Sequence, residues 1–126
     1  MHFPILSLPT FADARGALTV LEGALPFAIA RIYWIHAADG QTRGGHRHKE
    51  TRQALVAVHG SVSVYMNDGV REETIKLQRP SDCLLVEPKD WHTFTLADDA
   101  VVLVLASHPY DRADYIDEPY VDAPHD

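Results

Sequence analysis

The sequence has one cysteine, no long apolar run and no block of basic residues, and each shortage closes off a class of protein. With Cys83 alone there is no intrachain disulfide framework, and a reducing cytoplasm fits best. The longest apolar runs, "AVVLVLAS" and "CLLVE", fall far short of the roughly 20 residues that cross a bilayer, so no membrane association is expected. The opening "MHFPILSLPTFADARG" lacks the charged start and uninterrupted apolar core of a secretion signal. A formal charge of −7 without a lysine or arginine cluster argues against nucleic-acid binding, which needs many cationic contacts to phosphates. It leaves room for a small anionic ligand held by a few local arginines. Sustained helical periodicity is also missing: only "YDRADYI" could form a helical turn or two.

What is present is a series of short strand-like runs. "ALTVLE" (17–22), "FAIARIYWIH" (27–36), "QALVAVHG", "SVSVYM", "EETIKLQ", "CLLVE", "HTFTLA" and "AVVLVLAS" follow one another, separated by turn residues such as Pro26, Asp39-Gly40, Pro80, Pro88 and Asp98-Asp99. "NDG" (67–69) is a strong hairpin signal, and Gly60 joins two of the runs. Strands at roughly 8–12-residue intervals predict an all-β sandwich or barrel. With neither repeat nor linker, residues 1–126 read as one domain, and 118–126, with two prolines and little apolar content, as a poorly ordered tail.

The chemistry concentrates in "GQTRGGHRHKETRQALVAVHG" (40–60). On a strand, His46 and His48 point to one face and Arg47 to the other. Facing outward they are two solvated histidines; facing inward they converge in a pocket. From Gly40 the spacing runs five residues to His46-x-His48, four to Gln53 and six to Gly60. This resembles the first cupin motif, and "PKDWH" (88–92) resembles the core of the second. Metal-binding cupins place a glutamate where Gln53 stands, and a neutral amide does nothing to balance a divalent cation. His46, His48 and His92 would remain a legitimate three-histidine zinc set. The preferred reading is catalysis or substrate binding without metal or other cofactor.

Six segments in order resemble the dTDP-4-keto-6-deoxyglucose 3,4-ketoisomerases: "DARG" with "ALTVLE", "PFAIARIYWI", "RGGHRHKETRQAL", "VHGSVSVYMNDG" with its glycine-centred hairpin, "EPKDWH" and "LVLASHPYDRADYI". The resemblance implies a metal-free, RmlC-like cupin jelly-roll β-barrel acting on a dTDP-linked keto-deoxyhexose. It further implies a homodimer that exchanges N-terminal strands (residues 1–12), and a place in deoxysugar or aminosugar biosynthesis for a cell-surface glycan. Catalysis falls on His46, His48 and Tyr33. Arg15, Arg31 and Arg43 become pyrophosphate candidates, with Gln53, Trp91 and His92 as further substrate-binding positions. Two positions depart from the family pattern: Gly45 replaces an aromatic residue before the first histidine, and Thr93 replaces a glutamate after Trp-His. Both are expected near the sugar.

Each assignment has a plainer counterpart. Arg31 could form a structural ion pair, Trp91 and His92 could merely close the barrel end, and one of Tyr33 and Trp34 should be ordinary core. Asp111 and Asp114 are expected to organise the C-terminal turn, and His36, His59 and His108 to be surface or core residues. The competing functions are a dTDP-sugar 3,5-epimerase, a metal-dependent cupin oxygenase and a non-catalytic sugar-binding cupin. The intact His46/His48 pair favours the ketoisomerase over the epimerase.

Overall fold

The computed structural model describes residues 3–38 and 40–120. Its strands are β1 (Ile5–Ser7), β2 (Thr10–Asp13), β3 (Gly16–Thr19), β4 (Arg31–Ile35), β5 (Thr42–His48), β6 (Gln53–His59), β7 (Val62–Asn67), β8 (Glu72–Leu77), β9 (Asp82–Val86), β10 (Trp91–Leu96), β11 (Val101–Ala106) and β12 (Tyr115–Ile116). A single 3₁₀ turn, Arg112–Asp114, precedes β12, with the Asp111 side chain accepting from the Ala113 N–H.

Ten of these strands form two five-stranded antiparallel sheets, in the orders β1-β9-β6-β11-β4 and β12-β5-β10-β7-β8, and β2 and β3 form a separate two-stranded sheet. The expected all-β cupin jelly roll is the architecture observed. Alternation explains why. In β10, His92, Phe94 and Leu96 are buried while Trp91, Thr93 and Thr95 are half-buried, and β7 buries Val62, Val64 and Met66. These meet Leu55, Leu84, Val102 and Val104 of the facing sheet in one apolar core. A smaller cluster of Leu8, Val56, Cys83, Leu85 and Leu105 covers the other side of the first sheet, and there Cys83 is buried and free.

Several local expectations are corrected. Asn67 to Gly69 does turn β7 into β8, but Gly60 does not centre a hairpin: β6 pairs with β9 and β11, and β7 with β8 and β10. Gly60 is a corner between sheets, at φ +70°, where an added Cβ would lie 3.0 Å from the Ala100 Cα. The run 27–36 is strand only from Arg31, where pairing with β11 begins. The run 17–22 contributes Gly16–Thr19, which pairs with Thr10–Asp13 across the "DARG" turn. The N-terminal region therefore has a hairpin partner close in sequence, and its first strand, β1, pairs with β9 of the same chain. In the expected tail, residues 118–120 pack on β5: Arg47 stacks over Tyr120 at 4.0 Å and donates to the Glu118 carbonyl. Residues 121–126 lie outside the described residues, as does Asp39 of the expected Asp39-Gly40 turn.

At one end of the sandwich the inward residues change from apolar to polar. Along β10 the order is Leu96, Phe94, His92; along β6 it is Ala57, Leu55, Gln53. That polar end holds the site.

Candidate active site

Parity places His46 and His48 inward on β5, as expected. His46 stands opposite His92 of β10, and Arg43 opposite Phe94. The two pairings are offset by one residue because Gly45 is a bulge, with Gly44 and Gly45 at φ +87° and +82°. The bulge lets Arg43 share the inner face although it is an odd number of residues from His46. A cavity of about 320 Å³ opens there, lined by Arg31, Tyr33, Trp34 and Ile35 from β4, Arg43, Gly44 and His46 from β5, Phe94 from β10 and Tyr115 from β12.

Three imidazoles cluster at its base. The His46 ring lies 5.1 Å from both His48 and His92, and the Tyr115 ring caps His46 and His48 at 4.7 and 4.6 Å. His48 Nδ1 is 2.9 Å from an Asp114 carboxylate oxygen, and His92 Nδ1 is 3.0 Å from the Asp90 carbonyl. Burial, reinforced by the neighbouring His48, pushes His46 down to about 4. Burial likewise lowers His48, against the opposing pull of Asp114, and takes His92 to about 3. All three are neutral at pH 7. Among the described residues no cluster of three or more His, Cys, Asp or Glu side chains has its donors gathered for a metal ion.

Opposite them, Gln53, 2% exposed, donates from Nε2 to the Tyr33 hydroxyl at 3.1 Å, so that hydroxyl is free to donate to a ligand oxygen. Burial, followed by the nearby Tyr115, raises Tyr33 above the ordinary phenol value and keeps its proton in place. Gln53 Oε1 and His48 Nε2 are buried without a hydrogen-bond partner among the described residues. Unmet buried acceptors are costly and point to groups supplied by a ligand. The Arg31 guanidinium stacks over Tyr33 at 4.4 Å and reaches Tyr110 at 5.3 Å. Neither Arg31 nor Arg43 forms an ion pair among the described residues. One wall thus offers neutral imidazoles and the other two uncompensated cations, an arrangement suited to an anionic ligand whose neutral end undergoes proton transfer.

The profile of the family described as "FdtA: WxcM-like, C-terminal" matches residues 1–121. The chain belongs to that family. A curated relative, the TDP-4-oxo-6-deoxy-α-D-glucose-3,4-oxoisomerase of Aneurinibacillus thermoaerophilus, is 38% identical over 92% of this chain and 86% of its own length. Among solved structures, the TDP-quinovose 3,4-ketoisomerase WlaRB from Campylobacter jejuni is 38% identical, with a TM-score of 0.87 over 93% of each chain. A mutant of the 3,4-ketoisomerase QdtA from Thermoanaerobacterium thermosaccharolyticum, in complex with TDP-4-keto-6-deoxyglucose, is 36% identical with a TM-score of 0.88, over 92% of this chain and 87% of its own.

Of the site positions read from the sequence, His46, Tyr33, Arg31 and Arg43 line the cavity, and His48, His92 and Gln53 are buried outside its lining. Two do not join them. Arg15, its side chain 90% exposed, is at the tip of the β2–β3 hairpin, paired with Asp13 at 2.6 Å. Trp91 alternates with His92 and so points to the opposite face of the sheet. The departures Gly45 and Thr93, expected near the sugar, are not among the residues lining the cavity, although their chain neighbours Gly44, His46 and Phe94 are. Trp34 is not core; it is 59% exposed. Two site residues were missed in the sequence: Tyr115 went unassigned, and Asp114 was expected only to organise the C-terminal turn. Both come from "YDRADYI", whose end adds to β5 as a strand with Tyr115 opposite His48. The signal that could have found them is a strand-forming Tyr-Ile directly after an aspartate. Asp111 does organise the turn, as expected.

Proposed function

We propose that this chain is a sugar-nucleotide 3,4-ketoisomerase, converting a dTDP-4-keto-6-deoxyhexose to the dTDP-3-keto-6-deoxyhexose through an enediolate. The observation that carries the reading is a cavity joining the neutral, half-buried His46, backed by buried His48 and His92, to two arginines without an ion pair among the described residues, in a chain 38% identical to a protein named for that reaction.

The diphosphate lies toward Arg31 and Arg43, whose planar forks suit phosphate oxygens. His46, on the cavity wall, takes the C3 proton, which the neighbouring C4 carbonyl acidifies. The electron pair forms the C3–C4 double bond and pushes charge onto O4. Burial disfavours the resulting imidazolium, but the enediolate created beside it supplies the opposite charge. Tyr33 donates a hydrogen bond to that oxygen. His48 moves the hydroxyl proton from O3 to O4, and His46, its imidazolium proton having exchanged with solvent, protonates C4. The residues present do this with no cofactor.

We also assign the working form as a cytoplasmic homodimer, with strand exchange falling to the N-terminal region. In support, the β2–β3 hairpin exposes Phe11 (63%) and Leu18 (62%). The pyrophosphate role of Arg15 belongs with that assembly, because exchange could carry the hairpin tip to a neighbouring cavity.

The test is incubation with dTDP-4-keto-6-deoxyglucose in deuterated water and identification of the product by NMR. A 3-keto product with deuterium at C4 supports the reading. Deuterium at C5 with inversion there would make the chain a 3,5-epimerase, and binding without exchange a sugar-binding cupin.

A further inference from the structure

We propose that Asp114 is a positioning residue for catalysis: it holds His48 in the tautomer that carries its proton on Nδ1, leaving Nε2 as the proton acceptor. The proposal rests on the ketoisomerase reading for its chemistry but not for its geometry.

Asp114 is fixed on every side. Its carbonyl accepts from the Lys49 N–H at 2.9 Å, and its own N–H donates to Asp111 at 3.0 Å. Oδ1 accepts from the Glu50 N–H at 2.7 Å, while Oδ2 accepts from the Thr51 hydroxyl at 2.5 Å and faces His48 Nδ1 at 2.9 Å. Burial alone would raise its pKa, but the bonds from Thr51, Glu50 and His48 together hold it below the ordinary carboxylate value. An ionised carboxylate only accepts, so His48 Nδ1 must donate. The proton is therefore absent from Nε2, the buried ring nitrogen with no partner among the described residues. When O3–H gives up its proton, Nε2 gains it, Nδ1–H stays with Asp114, and the imidazolium sits against a carboxylate until O4 takes the proton. No net charge or electron is left over. Asp114 does not line the substrate cavity; it borders a separate surface cavity with Lys49, Thr51 and His108.

The substitution Asp114→Asn has a directed outcome. The Glu50 N–H requires an acceptor at the Oδ1 position, so the new amide nitrogen must occupy the Oδ2 position and donate to His48 Nδ1. That forces the proton onto Nε2 and removes the acceptor. The experiment is ¹⁵N NMR of the histidine rings in the full chain, with kinetics alongside. The wild type is expected to show a protonated Nδ1 and bare Nε2 at His48, and Asp114→Asn the reverse. Turnover should fall about 10²–10⁴-fold with TDP affinity within twofold, the pattern of a lost proton acceptor rather than a damaged pocket. Wild-type His48 protonated on Nε2 overturns the proposal, and that spectrum decides even if Asp114→Asn does not fold. An inverted tautomer with unchanged turnover overturns it too. The expected spectra in a chain that isomerises no keto-sugar would support the geometry while sinking the ketoisomerase reading.

Discussion

Arg43 and His46 face the same cavity although an odd number of residues separates them on β5. In a regular strand they would point to opposite faces. The extra residue at Gly45 and the positive φ angles of Gly44 and Gly45 resolve the conflict, and the outward Thr42–Thr95 hydroxyl pair below them marks the parity change.

The two glycines are expected to differ in sensitivity. A Cβ on Gly44 would sit 3.0 Å from the His92 carbonyl oxygen, whereas one on Gly45 meets nothing within 4 Å. Gly45→Ala carries only the backbone strain, about 1 kcal/mol, and Gly44→Ala adds a steric push on the strand bearing His92, for a total of about 2–3 kcal/mol. Thermal unfolding reads both. Arg43→Ala should leave stability unchanged and weaken TDP binding about 10–100-fold, the worth of a charged hydrogen bond. Equal melting losses at the two glycines would refute the packing argument.

Much of this was legible because alternation encodes itself. The strand series, the inward His46 and His48 and the neutral Gln53 all follow from residue type at fixed spacing. Arg43 could be listed as a cation but not placed, since simple parity sends it outward and only the bulge reverses it. Asp114 was assigned to the turn it terminates, because its bond to His48 spans 66 positions and no local pattern records it. Of Tyr33 and Trp34, one was expected in the core because they alternate in direction, and Tyr33 does pack against it while Trp34 is 59% exposed. Such failures share a cause: each depends on which elements become neighbours, not on the element itself.

Gln53 leads to a metal prediction. Its amide brings no charge to the histidine cluster, and Nε2, a donor, faces Tyr33. The purified protein is expected to turn over at full rate after exhaustive chelation. Gln53→Glu, which places a carboxylate opposite the three imidazoles, should gain measurable zinc or manganese. Elemental analysis with activity assays checks both. Activity abolished by chelation and restored by one ion would refute the metal-free reading.

Stability should depend on pH through the same histidines. His46 at about 4 and His92 at about 3 have folded values below the unfolded 6.5, and His48 shifts the same way. Their contribution is complete above pH 6.5 and is lost as pH falls through 6.5 toward 4, where only the unfolded chain takes up protons. Asp90 opposes them. Burial raises it to about 6, so between about 4 and 6 it favours the folded state as pH falls. Three groups outweigh one, and melting temperature should drop from pH 6.5 to 4. His92→Leu should flatten that slope, and an unchanged slope would show that His92 does not contribute.

The dimer prediction concerns the β2–β3 hairpin. Phe11 and Leu18 are directly opposed in the register and both exposed, a pair that packing against a second copy would cover. Light scattering at micromolar concentration should give a dimer mass. The double substitution Phe11→Ser, Leu18→Ser should shift the mass toward monomer without unfolding the sandwich. A wild-type monomer under those conditions would remove the proposed exchange.

Finally, the three groups around the keto-sugar should separate by the size and kind of loss. His46 is the imidazole on the cavity wall, so His46→Asn should lower kcat about 10²–10⁴-fold, the usual worth of a general acid–base group, with TDP affinity largely kept. His48→Asn also removes an imidazole, and its asparagine can still bond Asp114, so folding should survive. Its rate loss should be equal or smaller, because His46 still performs both carbon transfers. Tyr33→Phe keeps the ring under Arg31 and removes one hydrogen bond to the developing oxyanion, a loss of about 10–100-fold. Solvent deuterium incorporation at C4 distinguishes the roles. It should vanish with turnover in His46→Asn, yet persist at one atom per turnover in the slower Tyr33→Phe. Near-normal turnover in His46→Asn would overturn the assignment, and lost TDP affinity with normal turnover would recast His46 as a binding residue.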